Sequence, residues 1–411
     1  MHMVKSVLRY PLPWLVLIVG AQYLFGWAPP ALSFLAVVVV CGYLMNTTYA
    51  MQSRGATRNN NVYHLIGAVS SSFAFFLTLQ YMVLNRFMYG ILAPYVFATV
   101  LGTVHGTGVC LFIERVFHIY ADDEQMKEYR KHEDPMKLWP TVTTLVLLFI
   151  GQFVYLAWHP IQATTPTGEP VLVTRSILLL LVGLCVADGF AHTALRTARS
   201  ADNYWFHGVL VLLLQVVSFA KIAWLIELQM NWGLFIPVTT GQVIGALLGA
   251  NFAAAAVKRI GAKFDVRFLE AKELKAREAA GLIPWPTKQV ALLCSLLVVQ
   301  GIAIRYGYAA WGISVMIFAF AFGRDLSFTL KSRAGNRDDL LYLAWVSVLS
   351  NGIWFLVMNP LTAGDGVTLD KALPYIAGGA IGSLIGQFVA MKVEVFRGAR
   401  VDVPVPRPAR A

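Results

Sequence analysis

Residues 325–337 read DLSFTLKSRAGNR, and residues 46–58 read NTTYAMQSRGATR. In both, a polar residue stands eight positions before an arginine, as Asp325 before Arg333 and Asn46 before Arg54. Residues 188–200, DGFAHTALRTARS, hold a weaker third copy with Asp188 before Arg196. Tyr63 and Tyr342 follow the first and third copies at one offset. Farther on, Pro94, Pro237 and Pro374 are each followed eight and twelve residues later by glycine: Gly102 and Gly106, Gly245 and Gly249, Gly382 and Gly386. A Pro/Trp pair opens each copy at Pro13-Trp14, Trp139-Pro140 and Trp285-Pro286. Three independent spacings recurring in three places predict an internal repeat with a period of about 140 residues.

The medium in which the repeat folds follows from composition. Of 411 residues, 57% are hydrophobic and only 13% charged, against roughly a quarter charged in soluble domains. That excludes an ordinary water-soluble enzyme and a disordered chain. A membrane-spanning helix needs about 20 apolar residues. Such runs are read at 12–27, 30–51, 62–84, 91–114, 140–158, 172–194, 204–228, 234–257, 288–304, 308–330, 339–359 and 371–393. The expected fold is an all-α polytopic membrane protein of about twelve transmembrane helices, four per repeat. An even number of spans per unit puts all units in one orientation, so three parallel units in a pseudo-threefold ring are expected. The units are 1–117, 138–260 and 285–396. Cytoplasmic linkers cover 118–137 and 261–284, and 397–411 is read as a disordered tail. Residues 267–280 alternate charge and alanine like a solvated surface helix.

With both termini in the cytoplasm, 27 of the 33 Lys and Arg fall on the cytoplasmic side, counting Lys331 as part of a loop, and four fall on the other side. Lys221 and Arg324 lie within spans. This is a strong positive-inside bias. The net charge of +11 is read as contact with anionic lipid headgroups, not with nucleic acid. The N-terminal apolar run has no small-residue cleavage site and is read as an uncleaved span. Cys41, Cys110, Cys185 and Cys294 lie singly in apolar runs and suggest neither disulfide nor metal.

Ionisable groups inside spans are costly and mark pathways or buried pairs. Asp188, Asp325, Arg324 and Lys221 are therefore candidates, with Asn46 at the matching place in the first unit. Eight residues of helix rise about 12 Å, which puts Arg54, Arg196 and Arg333 at the cytoplasmic interface. In a ring they would form a basic collar favouring anions. They can equally be lipid-phosphate anchors, with the acids tying helices together. Lys221 is expected to pair with Asp188. Polar residues on the second recurring helix of each unit (Ser70 to Ser72, Gln215 with Ser218, Ser350-Asn351) suit either a polar path or interhelical hydrogen bonds. The G-x-x-x-G pairs are read as close helix contacts, and His105 between two of them as a packing residue. Nucleotide loops, metalloprotease pairs and nucleophile elbows are missing, and the eight histidines lack metal-ligand spacing. Asp188-Gly189 is a fragment of the motif expected of a phospholipid alcohol-transferase, without its further acids. Neither an enzyme nor a cofactor is expected.

The third unit resembles short, uncharacterised bacteriophage-encoded integral membrane proteins. The resemblance rests on Ser332-Arg333, Asn336, Ser350-Asn351-Gly352, Trp354-Phe355, Pro374-Tyr375, Gly382, Gly386 and Val393-Glu394. The first unit matches through Ser53-Arg54, Tyr63-His64, Pro94-Tyr95 and Ile113-Glu114, whereas the second has Val257 where the closing acid would stand. It covers about 85 residues per unit and implies a fused triplicate in a bacterial inner membrane. It implies no catalytic or binding residue.

Two functions follow. The first is transport, by a pore or carrier, of a small solute, with anions favoured. The alternative is a non-transporting scaffold or phage-encoded host-modifying factor, for example one excluding a competing phage. Transport calls for a polar cavity reaching Asp188 or Asp325. A scaffold calls for those acids buried in pairs with Lys221 or Arg324.

Overall fold

The computed structural model describes residues 32–57, 61–84, 87–117, 162–164, 170–200, 204–264, 285–336, 340–362 and 367–397, with isolated positions in 146–154 and 276–281. Among the described residues, ten helices are long and apolar enough to cross a membrane. They are α1 (Leu32–Thr57), α2 (Asn61–Leu84), α3 (Leu92–Val116), α4 (Arg175–Ser200), α5 (Tyr204–Glu227), α6 (Phe235–Phe264), α7 (Thr287–Arg305), α8 (Trp311–Asn336), α9 (Leu340–Thr362) and α10 (Leu369–Arg397). The spans expected over 12–27 and 140–158 lie outside the described residues, save isolated helical positions in the latter, as do most of both linkers and the tail. A short antiparallel hairpin, β1 (Gln162–Thr164) with β2 (Pro170–Leu172), precedes α4.

The outer faces are apolar. On α5, Val209, Leu213 and Val216 are exposed at helical spacing, while Leu210, Leu214 and Val217 are buried behind them. A stripe of exposed branched apolar residues is costly in water and stable in lipid. This is a multi-pass integral membrane protein.

Glycine sets the closest contacts. A Cβ on Gly102 would stand 2.3 Å from the Tyr43 carbonyl oxygen, one on Gly245 1.9 Å from that of Val186, and one on Gly382 2.2 Å from that of Phe322. Gly106, Gly249 and Gly386 touch the same partner helices one turn on, at Thr47, Phe190 and Leu326. Without a side chain at these positions, α3 lies directly on α1, α6 on α4 and α10 on α8. The glycine helices thus pack on the Asx/Arg helix ahead of them in the chain.

A second set of contacts runs between these groups. Helix α2 packs on α6, α5 on α10, and α9 on α3, which closes a cycle. Aromatic rings fill each seam: Phe73 and Phe76 meet Phe235, Phe219 meets Tyr375, and Tyr95 meets Trp354. Inside the cycle α1, α4 and α8 touch one another. Two turns are built alike. Phe87 and Met230 both have φ of 48° and are fully buried. Their amides donate back to Met82 O (2.9 Å) and Leu225 O (2.8 Å), ending α2 and α5 in the manner of a left-handed helix cap. A single 3-10 turn follows each, at Tyr89–Ile91 and Trp232–Leu234.

The expected span 308–330 stops too early. Helix α8 continues to Asn336, so Lys331, placed in a cytoplasmic loop by the charge count, lies within the helix and is buried.

Gly245→Ala should therefore destabilise the detergent-solubilised protein by about 1–3 kcal/mol, the usual range for overpacking. Gly183→Ala on the same bundle, where a Cβ meets nothing within 4 Å, should leave the thermal midpoint unchanged.

Candidate functional site

The three arginines of the sequence pattern are buried, at 3% (Arg54), 0% (Arg196) and 2% (Arg333) exposure. Arg54 holds Glu114 of α3 through Nε (2.6 Å) and Nη2 (2.7 Å). Arg333 holds Glu394 of α10 in the same two-pronged way, at 2.7 and 2.9 Å. The parallel fork of a guanidinium matches a carboxylate, and each pair locks an Asx/Arg helix to its glycine helix near the C-terminal ends of both. Helix α6 has Val257 where a matching acid would stand, and Arg196 turns elsewhere. Its guanidinium stacks on Tyr49 of α1, 3.9 Å from the ring centroid, and donates to Gln52 Oε1 at 3.2 Å. Two members of the expected collar are neutralised by carboxylates, and none of the three lines the central space.

That space is a cavity of about 230 Å³ enclosed by α1, α4 and α8 with the flanking helices. It has room for on the order of eight waters at about 30 Å³ each. Every lining residue falls within a span, and only α7 among the ten helices contributes nothing. Its walls are drawn from matching places. Asn46, Asp188 and Asp325 come from the central helices, and Ser72, Gln215 and Asn351 from α2, α5 and α9. From α1, the lining runs from Met45 to Gln52, a rise of about 10 Å.

Both acids are paired. Asp188 accepts from Lys221 Nζ, from Ser218 Oγ and, at 3.3 Å, from Gln242 Nε2. Asp325 binds the Arg324 guanidinium and accepts from Gln215 Nε2 at 3.1 Å. Arg324 also donates to Gln215 Oε1 (2.7 Å) and to the Tyr375 hydroxyl, and lies over the Tyr375 ring. The two signatures set against each other in the sequence are thus both present: a polar cavity reaches the acids, and the acids sit in ion pairs. Asn46 bonds within the bundle, its Nδ2 donating to Gly42 O and its Oδ1 accepting from Thr103.

One lining cation was missed by sequence reasoning. Lys331 Nζ donates to Asn46 Oδ1 at 2.9 Å and approaches Asn351 Oδ1 at 3.5 Å. Both partners are neutral amides. A signal did exist: Arg324, Phe328 and Lys331 follow at i, i+4 and i+7, one helical stripe. Tyr49 and Gln52 follow Met45 at the same spacing, and His192 follows Asp188 at i+4. Tyr49 also hydrogen-bonds His192 Nε2 at 3.0 Å, joining α1 to α4. Among the described residues, no group of His, Cys, Asp and Glu is arranged to hold a metal ion.

Comparison with protein-family models, with curated proteins and with solved structures finds no match.

Removing one partner of a buried pair strands the other, at a cost of about 3–5 kcal/mol. Glu394→Ala should lower thermal stability sharply. The double variant Arg333→Met/Glu394→Leu should recover most of the loss, as a double-mutant cycle in thermal unfolding would read.

Proposed function

We propose that this protein moves a small solute across the membrane through the cavity enclosed by α1, α4 and α8. A polar space that draws equivalent residues from three parts of the chain, with every lining residue inside an apolar span, is the observation that carries the reading. Hydrophilic volume within hydrocarbon is costly and is built where water or a solute must pass.

We further read the chain as three tandem copies of one four-helix unit, at 1–117, 138–260 and 285–396, arranged about a pseudo-threefold axis. The cyclic packing of α2 on α6, α5 on α10 and α9 on α3 supports this. So do the three matched glycine contacts and the twin turns at Phe87 and Met230. The positive-inside bias survives the reassignment of Lys331 and supports cytoplasmic termini. The resemblance to phage-encoded proteins points to a bacterial inner membrane.

The scaffold reading is favoured by one observation, the pairing of Asp188 with Lys221 and of Asp325 with Arg324. Flux from proteoliposomes separates the two. Ser72 lines the cavity and belongs to neither ion pair, so Ser72→Phe narrows the space while leaving both pairs' residues in place. Transport predicts solute flux in the wild type and its loss in Ser72→Phe at an unchanged thermal midpoint. No flux above empty liposomes from correctly folded wild type would favour the scaffold.

A further inference from the structure

The charges around the cavity do not balance. Its lining carries three cations, Lys221, Arg324 and Lys331, against two carboxylates, Asp188 and Asp325. Each carboxylate is held by its own cation. Among the described residues, Lys331, at 5% exposure, hydrogen-bonds to the amide oxygens of Asn46 and Asn351 and pairs with no carboxylate. An ammonium inside a span without a counter-charge is costly.

Beside it stands an unmatched donor. Asn351 Nδ2 is buried and has no hydrogen-bond partner among the described residues. The amide cannot be turned to relieve this, because the turn would point its N–H groups at the ammonium. A cation without a counter-charge and a neutral N–H donor without an acceptor therefore stand on adjoining helices. A carboxylate oxygen would satisfy both, and the other carboxylate oxygen remains for water or a serine hydroxyl. The flanking surface is apolar and flat. Phe328 lies one turn before Lys331 on α8, with its ring 5.9 Å from that of Tyr49, and Trp354 lies one turn after Asn351 on α9.

We infer that the cavity binds a small monocarboxylate with an apolar body, its carboxylate held between Lys331 Nζ and Asn351 Nδ2. The inference rests on the cavity being the solute site proposed above. Among the lining residues the excess is one positive charge, which matches a monoanion, and Arg196, behind the lining on Tyr49 and Gln52, adds to the positive field. The aromatic walls favour an organic anion over chloride.

The test uses the full chain purified in nanodiscs, with radiolabelled benzoate and hexanoate as probes and benzamide, hexanamide and chloride as competitors. The wild type should bind at least one carboxylate, and neither its amide nor chloride should displace it at equal concentration. Lys331→Met should weaken binding by about tenfold or more, the usual effect of deleting a charged hydrogen-bond partner. Asn351→Asp places a carboxylate of the same size beside Lys331 and should abolish binding while holding or raising the thermal midpoint. It reports on the site even where Lys331→Met does not fold. The inference is overturned by wild-type binding of neither carboxylate, by equal competition from amide or chloride, or by undiminished binding in Asn351→Asp. Carboxylate binding without flux would remove the transport reading and keep the site. Flux of neutral solutes without carboxylate binding would do the reverse.

Discussion

Hydrocarbon cannot solvate charge, and that constraint organises this bundle. Every ionisable group brought into the interior must meet a counter-charge, a dipole or water. The glycine contacts bring α1 against α3, α4 against α6 and α8 against α10 closely enough for short carboxylate–guanidinium forks to close two of the three pairs. Farther into the bundle, the same requirement matches Lys221 to Asp188 and Arg324 to Asp325. What remains after these pairings is the chemistry of the cavity: one ammonium, several amides and hydroxyls, and aromatic walls.

The pairing also changes what the arginine pattern means. Arg54, Arg196 and Arg333 recur because each ties the C-terminal end of a central helix to a neighbour, by ion pairs in two cases and by stacking on Tyr49 in the third. Arg196 reaches across to α1 and so links two parts of the chain that the ion pairs leave separate. His64 does similar work between α2 and α6, bonding Gln52 O and Ala246 O, and His207 joins α5 to Ser383 of α10. The polar interior is therefore partly mortar and partly wall. Asp188, Lys221, Arg324 and Asp325 are both, since they line the cavity and tie helices together.

Much of this was legible in the sequence, because it depends on local spacing. The eight-residue Asx-to-Arg interval, the glycine pairs and the apolar runs each reflect one helix at a time. The partner of Asp188 was legible too, since Lys221 is the one lysine within a span of that unit. The partners of Arg54 and Arg333 were not. Glu114 and Glu394 stand about sixty residues on, and only helix packing brings them near. Lys331 was misplaced for a physical reason: apolar content falls at Leu330, but the helix continues to Asn336 because its last turns are buried against the bundle instead of facing water. Helix ends set by tertiary contact leave little trace in composition.

The central claim is that the space between α1, α4 and α8 is wet and reachable by solute. The most direct measurement is thiol reactivity of Ser72→Cys in a background where Cys41, Cys110, Cys185 and Cys294 are replaced by alanine. The account predicts modification of the folded protein by a small membrane-impermeant thiosulfonate, faster for the sulfonate-bearing reagent than for its ammonium counterpart. A cysteine at this position that stays unreactive to both until the protein is unfolded would contradict it.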